Sequence, residues 1–252
     1  MARIPIAVQL YSVREDCKKD LPGTLEALAK MGYEGVEFAG FYDRTPQELR
    51  KLLADNGLKV AGSHTSLKLL QGDEFKRTVE FNLELGNRYV VVPSLPPEMY
   101  NTKEACLETA KIFNEIAEAL KEHGLYTGFH NHKHEVQPFA DGGSNAFITI
   151  FDATREDVIM QIDVGHAMRG GADPVELIKR YPGRAKTVHI KEFDPDDDTT
   201  VVGEGIVPWN DVFAAFESIG GTEWYIVEHE RYSRPPLECV ELCLRNLKAM
   251  GK

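Results

Sequence analysis

A recurring punctuation constrains this chain more than any other feature. Helical stretches keep ending on glycine, and a short apolar run follows within a few residues: "LAKMGYEGVEF", "LLADNGLKVAG", "LELGNRYVVV", "LKEHGLYTGF", "RYPGRAKTVHI" and "ESIGGTEWYIV". Glycine at a helix end supplies the left-handed cap that a Cβ disfavours. The runs after it are rich in Val, Ile and aromatics, as strands buried on both faces are. The capping positions are Gly32, Gly57, Gly86, Gly124, Gly183 and Gly220, and the long gap after Gly124 contains one helix-to-strand junction without glycine, "FDATREDVIMQID".

Strands are predicted at 4–11, 34–38, 58–63, 88–92, 125–131, 158–164, 186–190 and 223–228. Eight strands, each followed by a helix, predict an α/β fold, a single (β/α)8 TIM barrel over residues 1–252. A doubly wound open sheet fits less well, because "QLYSVRED" follows the first strand where a Gly-rich phosphate turn would stand. No linker or low-complexity block divides the chain, and 252 residues suit one α/β barrel.

The net charge of -11 opposes binding to duplex nucleic acid, whose phosphates require Lys and Arg, and it favours a cation site. "MARIPIAVQL" carries no long apolar run, so neither a signal peptide nor a membrane span is expected. Cys17, Cys106, Cys239 and Cys243 form no CxxC pair, and "CVELC" has helical spacing. Reduced core cysteines, and hence a cytoplasmic protein, are the expectation. Self-association is left open.

Strand side chains alternate between the helices and the barrel axis. In "VIMQIDVGH", Val158, Met160, Ile162 and Val164 suit the helix side, which turns Asp163 inward. The same parity sends His189 and Lys191 of "TVHIKE" inward, Glu228 of "WYIVEHE" inward, and His130 and His132 of "LYTGFHNH" inward. Gln9, Glu37 and His64 fall inward near the ends of the first three strands. Barrel active sites are built at this C-terminal rim. A single inward histidine is more often a satisfied core group than a ligand, but four successive strands with the same pattern point to a site.

Carboxylates and histidine without thiolate suit a divalent ion such as Mn²⁺, Mg²⁺, Co²⁺ or Zn²⁺, with positions open to substrate oxygens. Asp163, His189 and Glu228 are the firm candidates; the fourth ligand is expected from "GFHNHKHEVQP", where three residues compete.

"YEGVEF", "GFHNHKHE", "MQIDVGHA", "VHIKEFD" and "WYIVEHE" together resemble the sugar phosphate isomerase/epimerase family with xylose-isomerase-like barrels, over nearly the whole chain. The resemblance implies one divalent metal held by Glu, Asp, His and Glu from strands five to eight. Asp163, His189 and Glu228 match the last three. Many relatives end strand five in a Glu near the position of His130, and this chain departs from them. It resembles an "HNHxxE" branch, which implies Glu135 as the first ligand and His132 as the proton-abstracting base. Glu228 is the rival base, Lys191 is expected to stabilise an enolate oxygen, and His134 is expected in solvent. Gln9, Glu37, His64, His130 and His166 are expected around the substrate.

The implied activity is a metal-dependent sugar isomerase or epimerase working by α-proton abstraction through an enediolate. The alternative is a lyase or dehydratase of a keto-sugar or keto-inositol, which uses the same first step. An apurinic-site nuclease, which shares the barrel, is opposed by the charge, and an intact ligand ring opposes a purely sugar-binding barrel. The substrate is expected to lack phosphate: no Gly-rich helix start follows strand seven or eight, and Asp194, Asp196, Asp197 and Asp198 follow strand seven.

Overall fold

Eight short parallel strands form one sheet whose two edges meet. The computed structural model describes residues 3–140 and 142–252. The strands are β1 (Ile6–Gln9), β2 (Gly35–Ala39), β3 (Lys59–His64) and β4 (Tyr89–Val92), then β5 (Tyr126–His130), β6 (Ile159–Gln161), β7 (Thr187–Ile190) and β8 (Trp224–Val227). Their order is β6-β5-β4-β3-β2-β1-β8-β7, all parallel. A parallel bridge between Asp163 and His189 joins the two edges. His189 N–H donates to Ile162 O at 2.9 Å and Met160 N–H to Arg184 O at 2.8 Å. The sheet is thereby closed as a (β/α)8 barrel.

The helices outside are amphipathic and capped by local chemistry. Helix Pro46–Asp55 starts with a Thr45/Glu48 capping box and proline in its first turn; helix Lys103–Lys121 starts on Thr102, whose hydroxyl accepts from Ala105 N at 3.1 Å. Gly32, Gly57, Gly86, Gly124 and Gly183 all adopt positive φ. The expected cap at Gly220 is displaced to Gly221, at φ 68°, because the last turn, Phe216–Gly220, widens to a π-turn and delays the exit by one residue. At the junction without glycine, Arg155 grips Asp157 with two hydrogen bonds of 2.8 and 2.9 Å, and its backbone N–H donates to Asn114.

The expected strand parity divides the interior into two apolar clusters. Val158, Met160, Phe129, Val188, Tyr225 and Val227 belong to the large layer between sheet and helices. Ala7, Ala61, Tyr89, Ile159, Trp224 and Ile226 form a small cluster inside the barrel. Above this floor the inward residues become polar: Gln9, Glu37, Gln161, Asp163, His189 and Glu228 are all buried. The barrel interior therefore runs from hydrocarbon at its floor to polar and ionisable groups above it.

Two strands, β1 and β6, are shorter than expected by four residues each, and both end for a polar reason. β1 stops at Gln9, whose side-chain oxygen accepts from Tyr11 N at 3.0 Å and starts a 3₁₀ turn. β6 stops at Gln161, because Asp163 caps helix Val164–Arg169, its Oδ1 accepting from His166 N at 2.6 Å. Among the described residues, no helix is long and apolar enough to cross a membrane.

Candidate active site

Four side chains from four strand ends converge above the apolar floor. His130, Asp163, His189 and Glu228 each offer a ligand atom, all within 4.8 Å of one another, and all four residues are buried. Three of these are the expected metal ligands and the fourth is His130. Glu135, expected as the first ligand, is not in this group. It is 2% exposed, and its Oε2 accepts from His132 N at 2.9 Å, capping the short helix Lys133–Val136. The physical reason is its spacing: a Glu three residues past a helix start meets an unpaired backbone N–H, which fixes its carboxylate there.

The donor set fits a small divalent cation. Asp163 uses Oδ1 on the helix cap, while Oδ2 is buried and unpartnered, 3.9 Å from His189 Nδ1. His130 Nδ1 is likewise buried without a partner. Oxygen and imidazole donors without thiolate suit Mn²⁺, Co²⁺ or Zn²⁺, and leaving such buried atoms without a partner is costly.

The charges in the cluster oppose one another. Burial pushes the Asp163 carboxyl up to about 6, although His166 and Lys191 pull the other way. Burial also acts against the Glu228 carboxylate, but His189 and Lys191 outweigh it and hold the group well below the usual range. His189 lies between Glu228 (Nδ1 to Oε2, 2.9 Å) and Glu37 (Nε2 to Oε2, 2.6 Å). Burial disfavours its charge, yet these two carboxylates raise it to about 10. An imidazolium thus occupies the position in which a cation would be stabilised. Burial, helped by the charge on His189, keeps His130 well below the usual imidazole range.

One cavity opens onto this cluster through His130 and Glu228, and a second adjoins the first. The larger, 420 Å³, is lined by Tyr11, His64, Ser66, Ser94, His130, His132, Glu228 and Glu230. The smaller, 260 Å³, takes in His166, Arg169, Lys191, His229 and Arg231 and shares His132 and Glu230 with the first. His132 stands at the junction, its ring 5.0 Å from that of His130 and 4.9 Å from that of His166. Burial lowers it to about 4, with the neighbouring His166 acting in the same direction, so its imidazole is neutral near pH 7.

The remaining expected residues sort by depth. His64 and His130 line the larger cavity and His166 the smaller one. Gln9 and Glu37, expected at the substrate, are 0% exposed and line neither; they lie beneath His189. Lys191 does not pair with Glu192, the obvious rim partner in sequence, but with Glu230, and His166 Nε2 lies 3.2 Å from the same carboxylate. Lys191 stays charged: burial lowers it, and the carboxylates of Glu228, Asp163 and Glu230 more than restore it. Glu192 borders the smaller cavity, but its carboxylate holds the loop after β7, accepting from Gly203 N (2.6 Å), Trp209 Nε1 (2.8 Å), Phe193 N (3.0 Å) and Val207 N (3.2 Å). Trp209 is therefore a packed anchor and lines neither cavity. His134 is exposed, as expected, but it borders the smaller cavity.

Strand parity also reaches two further residues of the site, whereas Ser66, Ser94, Arg169 and His229 come from loops and helices beyond the strands. Gln161 lies two before Asp163, and Glu230 two after Glu228. The aspartates after β7 mostly serve their own loop: Asp194 accepts from Asp196 N at 2.8 Å and Asp197 from Thr199 N at 2.8 Å. Asp198 lines the smaller cavity, 3.7 Å from Arg231.

Comparison with known proteins agrees with this architecture. The family described as Xylose isomerase-like TIM barrel matches residues 25–249. An inosose dehydratase of Geobacillus kaustophilus is 23% identical, over 92% of this chain and 93% of its own length. A sugar phosphate isomerase/epimerase of Parabacteroides distasonis superposes with a TM-score of 0.87 at 27% identity, covering 99% of this chain and 95% of that one. The IOLI protein, solved with a bound zinc atom, superposes with a TM-score of 0.76 at 19% identity, covering 98% and 97%.

Proposed function

We propose that this chain, which belongs to the xylose isomerase-like TIM barrel family, is a divalent-cation-dependent lyase that removes water from a keto-inositol or keto-sugar. The observation that carries the choice of lyase is His130. An epimerase of the kind the resemblance implies exchanges its proton between two metal-bound glutamates. Here only Glu228 fills such a role, and a buried, neutral histidine occupies the other place. The inosose dehydratase relative, matched over almost its full length, supports the same choice.

A divalent cation held by Asp163, His189, Glu228 and His130 would polarise the substrate carbonyl and acidify the adjacent C–H. His132, neutral at the junction of the two cavities, accepts that proton. The C–H electron pair becomes the new C=C bond and the β C–O bond breaks. Lys191, held as an ammonium against Glu230, gives the departing hydroxyl its proton, so one water leaves. His64 and Ser66 line the larger cavity and meet ring hydroxyls, while His166 serves the smaller one.

The test is mass spectrometry of a panel of inososes, keto-sugars and aldoses incubated with the protein and Mn²⁺, Co²⁺ or Zn²⁺. A product lighter by one water, formed only with cation, is expected from a six-membered ketose. An isobaric product would overturn the lyase assignment in favour of the second reading, a sugar isomerase or epimerase, which the Parabacteroides distasonis neighbour favours.

A further inference from the structure

Glu37 is fully buried and lines neither cavity, yet it is the most heavily bonded carboxylate near the barrel axis. Its Oε2 accepts from Gln9 Nε2 at 2.7 Å and lies 2.6 Å from His189 Nε2; its Oε1 accepts from Gln161 Nε2 at 2.7 Å. The space around it is tailored: a Cβ at Gly62 would stand 2.8 Å from Oε1, so a side chain there would displace the carboxylate. Both oxygens already accept from side-chain amides, Oε2 from Gln9 and Oε1 from Gln161. A carboxylate engaged in this way is an acceptor only. The nitrogen facing it, Nε2 of His189, therefore carries a proton.

The same logic runs one bond further. Gln161 Nε2 donates to both Glu37 and Thr187 Oγ1 (2.8 Å), which leaves its Oε1 as the atom 2.8 Å from His64 Nε2. That nitrogen must also be the protonated one. Two imidazoles from two strands thus take their proton positions from one buried carboxylate.

We propose that Glu37 is the positioning residue of the cation cluster. It accepts the Nε2 proton of His189, so that Nδ1, which faces Asp163 and Glu228, is the nitrogen left to bind a cation in place of its own proton, and through Gln161 it leaves Nδ1 of His64 as the acceptor for a substrate hydroxyl. This rests on reading His189 as a cation ligand. A histidine whose second nitrogen is fixed by a carboxylate is a better-oriented and more basic ligand.

The experiment is Co²⁺ binding, followed by chelator competition and by the visible d–d spectrum, in wild type and Glu37→Gln. The amide is nearly isosteric but offers one oxygen where three donors converge. Expected are a loss of about 10–100-fold in Co²⁺ affinity and a shifted spectrum. Wild-type affinity and spectrum in Glu37→Gln would overturn the role of Glu37 alone. No Co²⁺ uptake by wild type would overturn both this inference and the reading of the cluster. Long-range ¹H–¹⁵N spectra of ring-labelled, Zn²⁺-loaded wild type need no substitution, so they decide the matter even if the variant does not fold. His189 should carry its proton on Nε2, and a proton on Nδ1 would overturn the proposal.

Discussion

His132 is the residue on which the proposed chemistry turns. Its ring stands where the two cavities meet, and its backbone is fixed by the Glu135 carboxylate, so it is presented from a capped turn. His132→Ala should keep its cation, because the four clustered side chains do not include it. Turnover should fall by about 10²–10⁴-fold, the usual contribution of a general base. The check is exchange of the substrate α-hydrogen with D₂O, measured beside cation content. If exchange continues near the wild-type rate, the base is Glu228 and His132 is only a wall of the cavity.

Among the elements, the seam between β6 and β7 depends on a residue far from the site. Arg184 is 6% exposed; its guanidinium donates to Val158 O (3.0 Å), Phe151 O (2.9 Å) and Thr154 Oγ1 (2.7 Å), and its own carbonyl accepts from Met160 N. It also lies 4.9 Å from the Phe151 ring centroid. Burial lowers it to about 10, which still leaves it charged at neutral pH. One side chain thus ties helix Ala146–Ala153, β6 and the start of β7 together, in the unit that lacks a capping glycine. Arg184→Met would keep most of the volume and strip three buried acceptors of this donor. Denaturant unfolding should show a loss of about 2–4 kcal/mol. A loss below about 0.5 kcal/mol, the usual range for a surface substitution, would mean the seam is held by its backbone bonds alone.

On the scale of the whole molecule, the barrel gathers mutually repelling carboxylates at one end, and a bound cation should stabilise it. A ligand at about 100 times its Kd adds about 2.7 kcal/mol. For a chain of this size that corresponds to a rise of about 5–10 °C in melting temperature. Calorimetry with and without Mn²⁺ or Zn²⁺ should show the rise in wild type and not in Asp163→Ala. An equal rise in both would place the cation elsewhere. The barrel and the inward direction of Asp163, His189, Glu228 and His130 were legible in the sequence, since glycine caps set the unit length and a period of two sets the face. Those are local rules, and they act within one element. What the tertiary structure decided is where each charged tip points and what it meets. Glu135 turned to a backbone N–H, His130 stands in the cluster, Lys191 found Glu230, and Glu37 lies beneath His189 instead of at the substrate. A buried carboxylate goes to whichever donors surround it, and in a closed barrel those donors come from strands far apart in sequence.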